Sequence, residues 1–207
     1  MNCPRPVPGL EIWLAVMHLV NPDIVRWNEK YRAASEAAFA QPDGLLVEHQ
    51  ALLVNDACAL DVACGAGANA IFAAQHGCRV VGVDASLQGL RIAAQRAKAK
   101  ALALSLVNAD LETWRPPPER FDLVMVFRYL DRALLPSLQS TIRPGGVMIY
   151  KTYNRNFLEQ KPGMNPRYLL QPGELKRCFA TFCELATNDG AANREVYSWW
   201  IGRKTKT

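Results

Sequence analysis

Residues 60–84 constrain this chain most. Leu60-Asp61-Val62-Ala63-Cys64-Gly65-Ala66-Gly67 is an apolar run with one acid inside it and a glycine turn behind it. Val80-Val81-Gly82-Val83-Asp84 is a second apolar run that closes on an acid. A strand, a turn whose glycines let a ligand reach the backbone, a helix, and a second strand ending in an acid make up a nucleotide-binding βαβ unit.

The rest of the chain repeats that alternation. Strands are expected at residues 59–63, 79–84, 103–108, 121–127 and 147–152, the fourth so apolar that it reads as a buried parallel strand. Residues 182–186 and 195–201, separated by Asn188-Asp189-Gly190, read as an antiparallel pair. Helices are expected at 45–53, at 69–76, at 87–100 behind Ser86 as N-cap, at 131–141 and at 174–179. The three prolines at 116–118 force a surface loop. The fold class is α/β: a Rossmann-like, doubly wound, seven-stranded sheet with helices on both faces and a terminal antiparallel hairpin.

Ahead of this core, 24–39 carries Trp27 and Tyr31 at helical spacing before Pro42-Asp43-Gly44 breaks it. Residues 1–44 are therefore read as a helical extension or lid, and 45–207 as the ligand-binding domain. The apolar stretch 12–20 lacks a signal-peptide pattern and is far short of the roughly 20 residues that span a bilayer. It is read as a further packing segment. Residues 153–171, interrupted by Pro162 and Pro166, suit the substrate side of a pocket.

With 207 residues and half of them apolar, the chain can bury a continuous core as one domain. The net charge of +5 admits an anionic partner, but part of the excess lies in Arg203-Lys204-Thr205-Lys206, which also reads as a solvated tail. Six cysteines form no C-x-x-C and stand at no zinc-ligand spacing to histidine. Reduced thiols in a cytoplasmic protein, with no metal site, are expected.

Gly65, Gly67 and Ala70 satisfy the dinucleotide fingerprint, yet Asp61 would repel a pyrophosphate seated at the helix start. S-Adenosyl-L-methionine has no phosphate and carries an ammonium and a sulfonium, which an acid beside the turn complements. Asp84 can accept both ribose hydroxyls. Asp110 stands where an adenine amine could donate to it, and equally where an acid caps a turn. Trp27 and Tyr31 can cover the sulfonium by cation–π contact or simply pack a surface helix. Arg128, past the carboxyl end of the fourth strand, can hold an anionic substrate or a carboxylate, or form a salt bridge to Asp131 or a neighbouring loop.

Asp61-x-x-x-Gly65-x-Gly67, Val83-Asp84, Ala109-Asp110-Leu111, Phe121-Asp122-Leu123-Val124 and Arg143-Pro144-Gly145-Gly146 together resemble the successive motifs of class I S-adenosylmethionine-dependent methyltransferases. Three further segments resemble the small bacterial tellurite-resistance and thiopurine-methyltransferase-like group. They are Trp27-Asn28-Glu29-Lys30-Tyr31, Arg128-Tyr129-Leu130 and the segment 165–175. Members of that group often carry Glu where Lys151 stands, which leaves the acceptor open. The resemblance implies a cofactor site of Trp27, Tyr31, Asp61, Ala63, Gly65, Gly67, Asn69, Asp84, Ala85, Asp110, Leu111 and Phe127. Arg128 and Tyr129 are the candidate substrate contacts, and S-adenosyl-L-homocysteine is the product.

The acceptor is expected to be a small-molecule nucleophile such as a thiol or a chalcogen oxyanion. RNA or protein is the alternative, but Phe127-Arg128-Tyr129-Leu130 is not the Asp/Asn-Pro-Pro-Tyr used on base amino groups. A non-catalytic cofactor-binding module and an NAD-dependent oxidoreductase are the remaining readings.

Overall fold

The structure is a computed structural model that describes residues 21–33, 38–190 and 194–206. The apolar stretch 12–20 lies outside the described residues. The described residues open with α1 (Pro22–Ala33), α2 (Gly44–Glu48) and a 3-10 turn at Gln50–Leu52. The βαβ core follows as β1 (Cys58–Val62), α3 (Ala68–Gln75), β2 (Arg79–Asp84), α4 (Leu87–Ala99) and β3 (Leu104–Asn108). Next come β4 (Phe121–Phe127), α5 (Leu135–Thr141), β5 (Ile142–Tyr153), α6 (Phe157–Gln160) and a 3-10 turn at Pro166–Tyr168. The chain closes with α7 (Glu174–Cys178), β6 (Phe182–Asn188) and β7 (Tyr197–Lys204).

One seven-stranded sheet has the order β3-β2-β1-β4-β5-β7-β6. Strands β1 to β5 are parallel, and β7 inserts antiparallel between β5 and β6. Apolar side chains alternate to both faces. Leu60, Val62, Val124 and Val126 join Leu134, Leu138 and Phe179 on one side; Ala59, Leu123, Met125 and Phe127 join Leu45, Ala70 and Ala73 on the other. Helices thus cover both faces, as a largely parallel sheet requires. The expected doubly wound sheet and terminal antiparallel pair are both present.

The differences are local and have causes. The helix expected at 131–141 starts at Leu135, because the Asp131 carboxylate accepts the Ala133 N–H (2.9 Å) and holds a turn there first. The helix expected at 45–53 ends at Glu48 and tightens into a 3-10 turn. The fifth strand begins at Ile142, and Pro144-Gly145-Gly146 is absorbed as a register shift opposite Phe121 and Leu123. The last strand runs Tyr197–Lys204, several residues beyond the expected 195–201.

The sheet's strand order reverses between β1 and β4, where the crossovers leave in opposite directions and open a cleft. Both strands leave the sheet there through a left-handed non-glycine residue, Ala63 (φ 56°) and Arg128 (φ 57°). Such a conformation costs roughly 1–2 kcal/mol per residue.

Candidate active site

The glycine turn is built by its own geometry. Gly65 and Gly67 have φ of 53° and 76°, a region that L side chains rarely adopt, and Gly67 opens α3 without a side-chain cap. A Cβ on Gly67 would lie 2.7 Å from the Ala93 Cβ, and one on Gly65 would overlap the Tyr31 hydroxyl. The turn is therefore pressed between α4 and α1 and tolerates only glycine.

Asp61 points from β1 toward the first turn of α3. It is 1% exposed, and its Oδ2 has no hydrogen-bond partner among the described residues. Burial raises its carboxyl to about 8; the Ala70 N–H opposes that shift, the Asp84 charge adds to it, and Arg128 opposes it. A buried, half-satisfied carboxylate is costly unless a cation or donor completes it.

Asp84 is differently held. Its Oδ2 accepts the Gly65 N–H and its Oδ1 the Ser86 N–H, each at 2.7 Å, while burial still raises its pKa against those bonds. Each oxygen keeps a lone pair free for a further donor. Asn108 braces the neighbouring backbone by donating to the Asp84 and Ala85 carbonyls at 3.0 and 2.9 Å. Ser86 caps α4 as expected, accepting the Gly89 N–H.

Asp110 makes the turn that its position allowed: its Oδ1 accepts the Glu112 N–H at 3.0 Å. Leu111 and Phe127 are buried, and Phe127 belongs to the apolar cluster under α2 and α3. Asn69 accepts the Asp43 N–H (2.8 Å) and so ties α3 to the N-cap of α2.

The structure separates Arg128 from Tyr129. Arg128 is exposed and makes no ion pair or side-chain hydrogen bond among the described residues, so the expected alternative of pairing with Asp131 is not realised. Its charge acts on Tyr31 and Asp61. Tyr129 packs against the opposite apolar cluster, where burial and the charges of Asp131, Glu112 and Asp110 hold its phenol protonated.

Helix α1 packs against the glycine turn. Tyr31 is 9% exposed, its ring set against Gly65 and Gly89, with Trp27 stacked 5.8 Å away and Phe39 edge-on at 5.2 Å. Four anchors hold this segment, none of them a contact expected from the sequence. The Asn28 amide oxygen accepts from the Ser86 hydroxyl and the Gln88 N–H, at 2.9 and 3.1 Å. Arg96 donates to the Ala38 and Phe39 carbonyls. The Tyr168 hydroxyl donates to Asp23 (3.0 Å), and Lys151 pairs with Asp43 (2.7 Å). Asn28 lies inside the aromatic motif, Asp43 in the Pro42-Asp43-Gly44 break, Tyr168 in the segment 165–175, and Lys151 where the resembled group carries Glu, but no local signal joins any of them to its partner.

Among the described residues no group of His, Cys, Asp and Glu can hold a metal, the cysteines are free, and no helix is long and apolar enough to cross a membrane.

Known proteins agree with this arrangement. Residues 59–146 match the family model of a methyltransferase domain. The ubiquinone biosynthesis O-methyltransferase of Coxiella burnetii is 31% identical over 103 residues, 47% of this chain and 44% of that protein. Its counterpart in Cereibacter sphaeroides is 32% identical over 102 residues, 47% of this chain and 41% of that one. The chain thus spans less than half the length of these relatives. Two solved structures share the fold. One, described under the conversion of a disulfide bond into a thioacetal group during echinomycin biosynthesis, has a TM-score of 0.68 at 21% identity, over 88% of this chain and 93% of that one. TehB from Haemophilus influenzae has a TM-score of 0.67 at 16% identity, over 79% of this chain and 63% of its own. The matched residues 59–146 hold the glycine turn and its two acids, so over that stretch the chain is similar to a methyltransferase domain, and its seven-stranded sheet is shared with the solved structures.

Proposed function

We propose that this chain binds S-adenosyl-L-methionine at the β1–β4 cleft and transfers its methyl group to a small-molecule nucleophile. The observation that carries the reading is the buried Oδ2 of Asp61, which lacks a partner among the described residues and suits a cationic amino-acid ligand. A diphosphate offers no cation to favour ionisation of that carboxyl.

In this reading Asp61 holds the α-ammonium, and Asp84 accepts the ribose hydroxyls with the lone pairs left over from Gly65 and Ser86. Gly65 and Gly67 give the ligand access to backbone; Asp110 and Leu111 flank the adenine. Ala63, Asn69, Ala85 and Phe127 fix the walls through backbone and packing. Residues 1–44 act as the lid, with Trp27 and Tyr31 excluding water over the sulfonium.

The cofactor supplies a methyl group on a good leaving group, so the protein's task is to align and desolvate the acceptor. Of the two candidate substrate contacts, exposed Arg128 is the one that suits the acceptor side, since Tyr129 packs against the opposite cluster. Thiols and chalcogen oxyanions fit such a site. Phenolic or enolic oxygen is the second reading, favoured by the O-methyltransferase names of the relatives.

Calorimetry with S-adenosylmethionine and with NADH, followed by S-adenosylhomocysteine release across thiols, oxyanions, hydroquinones and bulk RNA, tests both levels. Binding of NADH without S-adenosylmethionine refutes the reading at its root; turnover confined to RNA refutes the acceptor class.

A further inference from the structure

The carboxyl ends of β4 and β5 and the start of β7 assemble a group of side chains that the cofactor reading leaves unused. Tyr153 and Tyr197 are register partners with ring centroids 4.6 Å apart, and Phe157 of α6 stacks on Tyr153 at 4.1 Å. All three residues are half-buried, so each keeps part of its surface in solvent at the carboxyl end of the parallel strands. Lys151 lies two residues before Tyr153, on the same face of the strand, with its Nζ 5.0 Å from the Tyr197 ring. Its charge is spent on Asp43.

Arg128 adjoins this cluster, since its N–H donates to the Lys151 carbonyl at 2.8 Å. Its exposed guanidinium has no partner among the described residues, and its backbone is held left-handed. A residue serving only to end β4 would more cheaply be Gly or Asn. The charge reaches Tyr31 and Asp61 on one side and Tyr197 on the other, so Arg128 stands between the cofactor cleft and the aromatic cluster. Lys30, over the Trp27 ring at 4.3 Å, and Lys161 are close enough to interact electrostatically, and both add positive field.

We infer that the acceptor is a planar aromatic molecule bearing an anionic group, its ring placed on Tyr153, Phe157 and Tyr197 and its anion on Arg128. This rests on the methyl-transfer reading and narrows it. Offset or edge contacts between rings fix the plane of the acceptor, and a guanidinium grips a carboxylate bidentately, so the two together orient a third substituent toward the cleft. A bare inorganic oxyanion would leave the rings unused.

The full chain saturated with S-adenosylhomocysteine is titrated calorimetrically with benzoate, benzyl alcohol and cyclohexanecarboxylate. Benzoate is expected to bind about tenfold or more tightly than either of the others, the worth of one charge-assisted or ring contact. Arg128→Met should reduce benzoate to the affinity of benzyl alcohol, and Tyr197→Leu to that of cyclohexanecarboxylate. S-adenosylhomocysteine affinity and thermal unfolding of each variant report whether the fold is kept. Equal affinities for the three probes, no binding of any of them to the saturated chain, or inorganic phosphate competing as well as benzoate overturns the acceptor assignment alone. Failure of S-adenosylhomocysteine itself to bind overturns this inference together with the reading beneath it.

Discussion

Burial of Asp61 makes cofactor binding a proton-linked event. Without ligand, lost hydration raises its carboxyl from 3.8 to about 8. At pH 7, one unit below that value, roughly nine in ten molecules hold the proton. A ligand ammonium set against Oδ2 favours the ionised form, so binding at pH 7 expels close to one proton, about 0.9. Below the raised value, affinity should fall about tenfold for each pH unit, about 1.4 kcal/mol per step.

Calorimetry of S-adenosylhomocysteine binding in buffers of different ionisation enthalpy, at pH 7 and pH 9, counts the protons. The ligand's own α-amine titrates in the same region, so Asp61→Asn is the reference to be subtracted. The wild-type excess over that variant should be about one proton at pH 7 and nearly none at pH 9. Equal proton release by the two proteins at pH 7 would refute the reasoning. Stability without ligand follows the same linkage. Because the folded pKa lies above the unfolded one, the penalty is absent below about pH 4, grows as pH rises toward 8, and is constant beyond. Asp61→Asn should therefore raise the unfolding temperature of the ligand-free chain more at pH 8 than at pH 4.

Asp84→Ala should weaken S-adenosylhomocysteine binding by about 1.5–3 kcal/mol, the worth of hydrogen bonds to a charged group, with unchanged affinity by calorimetry counting against the ribose role. It should also lower the unfolding temperature, since the Gly65 and Ser86 N–H groups lose their acceptor. Gly65→Ala should dislodge Tyr31 and weaken cofactor binding, and adding Tyr31→Phe should restore part of the loss by removing the hydroxyl that a Cβ would overlap; Trp27 fluorescence reads the docking of α1. Asn28→Ala should increase hydrogen exchange in α1 while leaving that of β1 and β4 unchanged, because both of its bonds go to the start of α4.

The sheet was legible in the sequence because its signals are local. An apolar run of parallel-strand length, a glycine turn and a terminal acid each declare themselves within a few residues, and β2 and β4 begin and end where expected. What escaped reading depends on partners far along the chain. Asp43 reaches Lys151 across 108 positions, and Tyr168 reaches Asp23 across 145, so nothing near either residue announces the contact. Arg128 and Tyr129 show the same limit from the other side. Adjacent in sequence and both polar at their tips, they lie in different surroundings on either side of a left-handed turn at Arg128 that no composition rule marks. A guanidinium without a partner among the described residues lies on one flank of that turn and a packed phenol on the other. The acceptor side is therefore set by how β4 ends, and substitutions that relax the turn at Arg128 should alter acceptor choice before they alter cofactor affinity.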